Sequence, residues 1–456
     1  MRTLYIDCSY LAEHVGLNTG IQRVVRRVIE NLEELAPGVN LRIQPVKIGS
    51  GQFQPLSIEE LYPQTPPPQP PSPAEETTPF IYKAANYLRS VYIASRELVA
   101  AICGHHPAVR RFLFKPRNEM GLGYIVDNLT LRPMRYLLKR RDNSGTTDNF
   151  SLIKTNDILL LLDSTWYSEI WPSVAKARQK GVKVVAVIYD LIPITHPQFC
   201  DNFLATVFKN WFHDSLEHVD KYIGISQTVQ KDLHAYMLKE FGEQINGKAF
   251  DFFHLGADFK YRIADTSHVR QDVVEVMAQR PAYLIVSTVE PRKNHAYLLD
   301  AFDRLWEQGS NVSLVIVGRT GWKVEPLMER INQHPENGKH LHYWHDLNDD
   351  ELFYCYQHAK MLLFPSIVEG FGLPIVEGLS NRLPVMVSDT PIHREVGGNR
   401  VGYFDLESPD DLYNKITKIE KEGIPEELLV PADYKWLNWH ESTEQLLEKT
   451  LQDAAN

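Results

Sequence analysis

Cysteine is scarce. The 456 residues hold four, Cys8, Cys103, Cys200 and Cys355, with no shared pair spacing. That argues against a disulfide framework or a zinc site and fits buried thiols in a reducing cytoplasm. Long apolar runs are missing too. No stretch approaches the roughly 18 residues that a membrane-spanning helix needs. The amino-terminal MRTLYIDCSYLAEH reads as a strand followed by polar residues, not as a secretion signal. Positive charge is not in excess: the formal net charge is -10, which gives no case for nucleic-acid binding. No repeat of solenoid length is visible.

What is present is alternation. TLYIDCSY reads as a strand, and GIQRVVRRVIENLEELAP as a helix with Ile21, Val24, Val25, Val28, Ile29 and Leu32 at helical spacing. After NLRIQPVKI comes a break, the polyproline stretch PQTPPPQPPSP, a stiff spacer that cannot enter a packed core. Strands and helices then alternate from DILLLLDSTW to KAFDFFHLGAD, and again from AYLIVSTV onward. Such alternation predicts parallel sheets. The expectation is an α/β chain of two doubly wound Rossmann-like domains facing a cleft. The first spans 1-265, with a proline-rich spacer and basic helical insertion at 51-149, and the second spans 275-435. A last helix over 436-456 is expected to return towards the first.

One stretch stands out: FPSIVEGFGLPIVEGLSNRLPVMVSD, Phe364 to Asp389. AKMLLF reads as a buried strand, SIVEGFG as a glycine loop, LPIVEGLS as a helix with Pro374 in its first turn, and RLPVMVSD as the next strand. The loop lies at the carboxyl end of a strand, where open α/β sheets bind ligands. A helix N-terminus offers free N–H groups to an anion, typically phosphate. Glu369 falls in the loop and Glu377 one turn inside the helix, able to accept hydrogen bonds from hydroxyl groups. Two solvated surface acids are the bland alternative.

The region from Pro281 to Asp411 resembles the donor-binding domain of retaining family-4 glycosyltransferases of the GT-B fold. The likeness rests on Glu369 and Glu377 at the family spacing, EPRKN upstream, IVG at Ile316–Gly318, and REVGG downstream. The amino-terminal half matches more loosely, in GIQRVV, VIYDLIP, GISQTVQKDL and HLGAD. The resemblance implies transfer of a sugar from a nucleoside diphosphate sugar with retention of configuration, and no cofactor. It places Lys293 and Arg292 on the diphosphate leaving group, whose growing charge fixed cations would stabilise. It gives Glu369 to the transferred sugar, as nucleophile or as stabiliser, and Glu377 to the ribose. It also implies backbone N–H groups of Gly370, Phe371, Gly372 and Leu373 on the sugar and phosphates, and close backbone approach at Gly318 and Gly20. Glu351 would stand near the base pocket, or be a plain surface acid. Asp190, after the strand VVAVIY, would contact acceptor or sugar. His196 and Ser226 read as structural. The commonest family pattern has an arginine about five residues before the lysine; Ser287-Thr288 stands there instead. Asp-x-Asp, the metal-holding motif of the other large glycosyltransferase fold, does not occur. Hence the expectation is a metal-independent enzyme with no metal ligands.

The EPRKN loop resembles that of O-antigen and capsule mannosyltransferases, so GDP-mannose is the favoured donor and a glycan or lipid-linked acceptor the favoured partner. Two readings compete with it: a synthase with a small soluble sugar acceptor, and a non-catalytic nucleotide-sugar-binding scaffold. Residues Phe80 to Arg141 match nothing in the family. They carry twelve Lys and Arg against three acids, net +9 in a chain of -10. A basic amphipathic segment predicts docking on an anionic membrane surface, which would make a cytoplasmic protein peripheral on the inner face. A lobe packed on the acidic body, or a homo-oligomer surface, are the alternatives.

Overall fold

The computed structural model describes residues 1–16, 20–49, 51–62, 149–200, 202–257 and 266–452. The polyproline stretch and the basic segment 80–141 lie outside the described residues, and so do the expectations attached to them.

The first half builds a seven-stranded sheet: β1 (Arg2–Asp7), β2 (Leu41–Gly49), β3 (Gln52–Pro55), β4 (Ile158–Leu161), β5 (Lys183–Ile188), β6 (Lys221–Gly224) and β7 (Ala249–Phe252). Their spatial order is β3-β2-β1-β4-β5-β6-β7. The second half builds a six-stranded sheet from β8 (Ala282–Val286), β9 (Ser313–Val317), β10 (Leu341–Trp344), β11 (Met361–Phe364), β12 (Val385–Ser388) and β13 (Gly402–Phe404). Its order is β10-β9-β8-β11-β12-β13. Central strands such as ILLL of β4 and MLLF of β11 are buried on both faces, as parallel strands covered by helices must be. Among the described residues only β2 and β3 pair antiparallel. Residues 52–55, read as the start of the spacer, thus extend the first sheet instead. The segment is too short to show a pattern of its own, and it is held by pairing with β2.

Eight helices matter below: α1 (Gly20–Leu35), α2 (Asn202–His218), α3 (Gln227–Phe241), α4 (His295–Glu307), α5 (Asp349–His358), α6 (Leu373–Ser380), α7 (Pro391–Gly397) and α8 (Trp439–Leu451). The apolar stripe of α1 buries Val24, Val25, Val28, Ile29 and Leu32, as its spacing predicts. Helix α8 returns to the first half and packs on α1. Lys221 donates to the Lys449 carbonyl at 2.7 Å, and a Cβ at Gly256 would sit 2.7 Å from the Trp439 backbone.

In both sheets the chain reverses direction of growth at one point, between β1 and β4 and between β8 and β11. Open parallel sheets leave a crevice at the carboxyl ends of the strands flanking such a point. The site residues are found there.

Candidate active site

The loop after β8 carries Glu290, Arg292 and Lys293. Pro291 starts a tight turn over Pro291–Lys293, and Asn294 closes it in the left-handed region at φ 56° before α4 begins. The loop after β11 lies against it, with the Ile367 N–H donating to the Arg292 carbonyl at 2.8 Å. Glu369 is thereby set between two cations. Arg292 reaches one carboxylate oxygen at 2.8 Å and Lys293 contacts the other. Arg292 also pairs with Glu290 at 2.6 Å and donates to the Val368 carbonyl. Burial alone would favour the neutral acid, but Arg292 and Lys293 outweigh it and hold the Glu369 carboxyl at about 2. Burial, reinforced by neighbouring Arg292, pulls Lys293 below the usual ammonium range. For Glu290, burial raises the carboxyl against the pull of the same two cations.

Asp190 faces this cluster from the first domain, just past β5. Burial raises its carboxyl, while Arg292 opposes the rise. The two domains touch through backbone here. A side chain at Gly370 would collide with the Tyr189 carbonyl, and the Gly370 carbonyl accepts from Ser226 Oγ at 2.9 Å. Ser226 also caps α3 by accepting from the Val229 N–H. Gly370 therefore has a structural reason to be glycine: it lets two domain backbones meet. Phe371 likewise does more than carry an N–H. Its buried ring packs towards His254 and Trp436, fixing the loop to the return segment. Gly372 takes φ 95° to start α6 at Leu373; Pro374 has no N–H and the Ile375 N–H donates to the Gly372 carbonyl at 2.9 Å, so it is the Leu373 N–H that the helix start itself leaves over.

Glu377 is buried in α6 and meets two partners. Tyr356 Oη donates to one oxygen at 2.8 Å, and Arg23 of α1 reaches the other at 2.9 Å. Arg23 was missed in the sequence; within GIQRVV only its helical register, one turn past Gly20, hinted that it faces the cleft. Gly20 itself begins α1 with open space where a side chain would grow.

Two expectations change. Gly318, at φ 149°, is glycine because a Cβ would strike the Ser287 carbonyl on the neighbouring strand end, so the close approach it permits is to the protein's own backbone. Glu351 is neither a surface acid nor free for a base. It is buried as the third residue of a capping box with Asn348, and its other oxygen takes Arg270 at 2.8 Å. Asn348 three positions ahead of it was the signal in the sequence.

Further groups emerge only from the structure. His295, at the start of α4, is buried beside Lys293, and burial, then Lys293, lowers its ring to about 3. Glu395 of α7 accepts the Gln227 and Thr228 N–H groups at 2.7 Å each and pairs with His254 at 2.8 Å. An acid of one domain thus caps α3 of the other. Among the described residues no cluster of three or more metal-ligating side chains is found, and no helix is long and apolar enough to cross a membrane.

Residues 272–436 match the family described as glycosyl transferases group 1. The serotype-specific mannosyltransferase WbdA of Escherichia coli is 30% identical over 324 residues, 69% of this chain but 39% of its own length. The O-antigen chain mannosyltransferase RfbU of Salmonella typhimurium is 25% identical over 236 residues, 51% of this chain and 60% of its own. The chain therefore spans about two-fifths of the length of WbdA. In fold it is similar to Anabaena HepE, solved with UDP and glucose, at a TM-score of 0.55 and 13% identity over 98% of this chain and 99% of that one. The two sheets, the cleft and these likenesses together identify a GT-B fold whose residues 272–436 match the group 1 glycosyl transferases, in a chain that resembles O-antigen mannosyltransferases.

Proposed function

We propose that the chain is a retaining glycosyltransferase of cell-surface polysaccharide assembly that moves mannose from GDP-mannose to a hydroxyl of a glycan or lipid-linked acceptor. The observation that carries this reading is Glu369, ionised between Arg292 and Lys293 at the reversal point of the second sheet and facing Asp190 across the cleft. The mannosyl donor is supported by the names of the relatives.

The donor lies with its ribose at Glu377 and its diphosphate at the N-terminus of α6. Lys293 has three N–H donors and Arg292 five, so both can serve phosphate oxygens while holding Glu369. The acceptor hydroxyl, oriented by Asp190, approaches the anomeric carbon on the face the diphosphate leaves. Its oxygen bonds to that carbon. The bond to the diphosphate breaks with its electron pair on the phosphate oxygen, and the hydroxyl proton passes to that oxygen. Positive charge grows on the sugar and negative charge on the leaving group, and preorganised groups of opposite sign lower such a barrier. With a cation on each oxygen, Glu369 is a poor nucleophile, which supports the stabilising role over a covalent one. Cations and a helix terminus supply the leaving-group stabilisation, so the transfer is proposed to need no metal. The protein is proposed to work in the cytoplasm, peripheral on the inner membrane face.

A thermal-shift panel of GDP, UDP and ADP with their sugars tests the donor. GDP-mannose should give the largest stabilisation, and a response to none of them sinks the reading. Proton NMR of the product should show the donor's α configuration, formed equally well in EDTA.

A further inference from the structure

Glu351 caps α5, and the proposed function uses Glu369 and Glu377. Glu290 has neither task, yet its side chain is as deeply buried as that of Glu351, each 3% exposed. A buried carboxylate is costly unless it is paired, so its partner is informative. That partner is Arg292, whose Nη2 reaches Glu290 at 2.6 Å. Arg292 Nη1 donates to Glu369 at 2.8 Å and to the Val368 carbonyl at 3.2 Å. An arginine and a carboxylate left to themselves favour two parallel N–H···O bonds, one to each oxygen. Here the fork is split between two acids. Glu369 therefore receives one arm, and its second oxygen is left to Lys293. Glu290 is fixed in place. Its carbonyl accepts the Lys293 N–H at 3.0 Å, closing the turn. The loop after β9 backs it: a Cβ at Gly321 would lie 3.3 Å from that of Glu290, and the Gly321 N–H donates to the Val289 carbonyl at 2.9 Å.

We propose that Glu290 is a positioning residue, which keeps Arg292 from closing over both oxygens of Glu369. The proposal rests on the glycosyltransferase reading, which supplies the donor. Of the two cations on Glu369, Lys293 is the adaptable one, a point charge on a flexible stem. It turns to the diphosphate when the donor binds, and the Glu369 oxygen it leaves faces the sugar. That oxygen then meets the positive charge growing at the anomeric carbon. Were Arg292 free to close its fork, both oxygens would be covered by a cation that does not leave, and Glu369 would lose its hold on that charge. By anchoring one arm, Glu290 makes Arg292 the cation that stays and Lys293 the one that moves.

The test uses the full chain. The rate is GDP release from GDP-mannose with methyl α-mannoside as acceptor, and GDP binding is read by calorimetry. Glu290→Gln keeps the shape and an acceptor oxygen but loses the charge that competes for the fork. Its kcat should fall about 10- to 100-fold, since a misplacement of about 1 Å at a reacting centre costs up to about 10². GDP affinity should hold or rise, because Lys293 is released from Glu369. In an Arg292→Met background the same change should cost less than about twofold, since no fork is left to steer; a purely structural Glu290 would cost as much in both backgrounds. A crystal structure of Glu290→Gln should show Arg292 on both oxygens of Glu369. A fall in kcat under about threefold, an equal loss in both backgrounds, or an unmoved Arg292 fork each overturns the proposal. A fork that closes in Glu290→Gln while wild type releases no GDP from GDP-mannose keeps the anchoring by Glu290 and removes the glycosyltransferase reading.

Discussion

Both sheets gather buried carboxylates at the point where their strand order reverses, and the two sites behave oppositely. In the second sheet Glu369 lies between Arg292 and Lys293, and its proton is released down to about 2. In the first, Asp7 ends β1 and Asp163 follows β4, with no cation in contact with either among the described residues. Burial, then the charge of Asp163, pushes the Asp7 carboxyl up to about 8. Asp7 is held by the Ser9 N–H at 3.1 Å and the Ser9 hydroxyl, with its other oxygen unpartnered. Asp163 takes the Leu11 N–H at 2.6 Å and the Ser164 N–H at 2.7 Å. Position in the fold and burial are alike; the partner decides the charge. A carboxylate kept negative beside cations suits a site where charge develops. A carboxyl that keeps its proton suits a strand end that must stay packed.

The strongest way to break the contrast is to remove a cation. Lys293→Ala leaves Glu369 with Arg292 alone and, on the proposed function, strips the leaving group of one donor. Transfer should fall about 10²–10³-fold at saturating donor, measured as kcat with GDP-mannose. A fall under threefold would take Lys293 out of the transfer step.

Glu377 is the intermediate case: a buried carboxylate whose cation, Arg23, comes from the other domain. On the proposed function, Glu377→Ala removes a charged acceptor from the ribose and should weaken GDP binding by about 1.5–3 kcal/mol. Glu369→Ala should leave GDP affinity nearly unchanged and lower turnover. Calorimetry on both variants checks the division of labour; equal losses of affinity would refute it.

The first sheet offers the test by pH. The folded chain binds the Asp7 proton more tightly than the unfolded chain, whose carboxyl is ordinary at 3.8. That advantage is fully present below 3.8 and is lost as pH rises through about 8. Asp7→Asn keeps the oxygen facing Ser9 and cannot ionise. Its melting temperature should match wild type below about 3.8, with the gap widening as pH rises towards about 8 and reaching several degrees at about pH 9. Glu369 contributes with the opposite sign. Its stability is present above the ordinary 4.5 and is lost as pH falls towards about 2.

The legible parts were those written in contiguous residues. EPRKN and EGFGLPIVE each lie on one loop at one strand end, so the local pattern of apolar run, glycine and proline places them. The alternation of periods located both sheets. What stayed hidden depends on residues far apart in the chain. Arg23 and Glu377 are 354 positions apart, and the pairing of Asp7 with Asp163 needs β1 and β4 to be neighbours. Gly318 and Gly370 show the same limit. A glycine signals close approach, but only the fold says whether to a ligand or to backbone. β3 escaped because four residues carry no period.

The smallest effect sharpens the comparison most. Arg23→Ala would leave Glu377 buried with only Tyr356, close to the cation-free state of Asp7. The Arg23 side chain is 42% exposed and that of Glu377 is 5% exposed. Glu377 stays shielded from water and loses its cation, so folding should lose more than the about 0.2–1 kcal/mol of a fully exposed pair. A carboxylate offers about four lone-pair directions, so a ribose hydroxyl can bind beside Arg23, but the Arg23–Glu377 pair bridges the domains and must yield if the cleft opens to admit donor. Loss of Arg23 should therefore raise the GDP on-rate, with equilibrium affinity rising by up to about fivefold at low salt and the gain shrinking as salt screens the pair in wild type. Stopped-flow fluorescence at two ionic strengths reads both. A tenfold loss of affinity would give the opposite assignment: Arg23 would then be a ligand of the diphosphate, and Glu377 would need it at hand rather than out of the way.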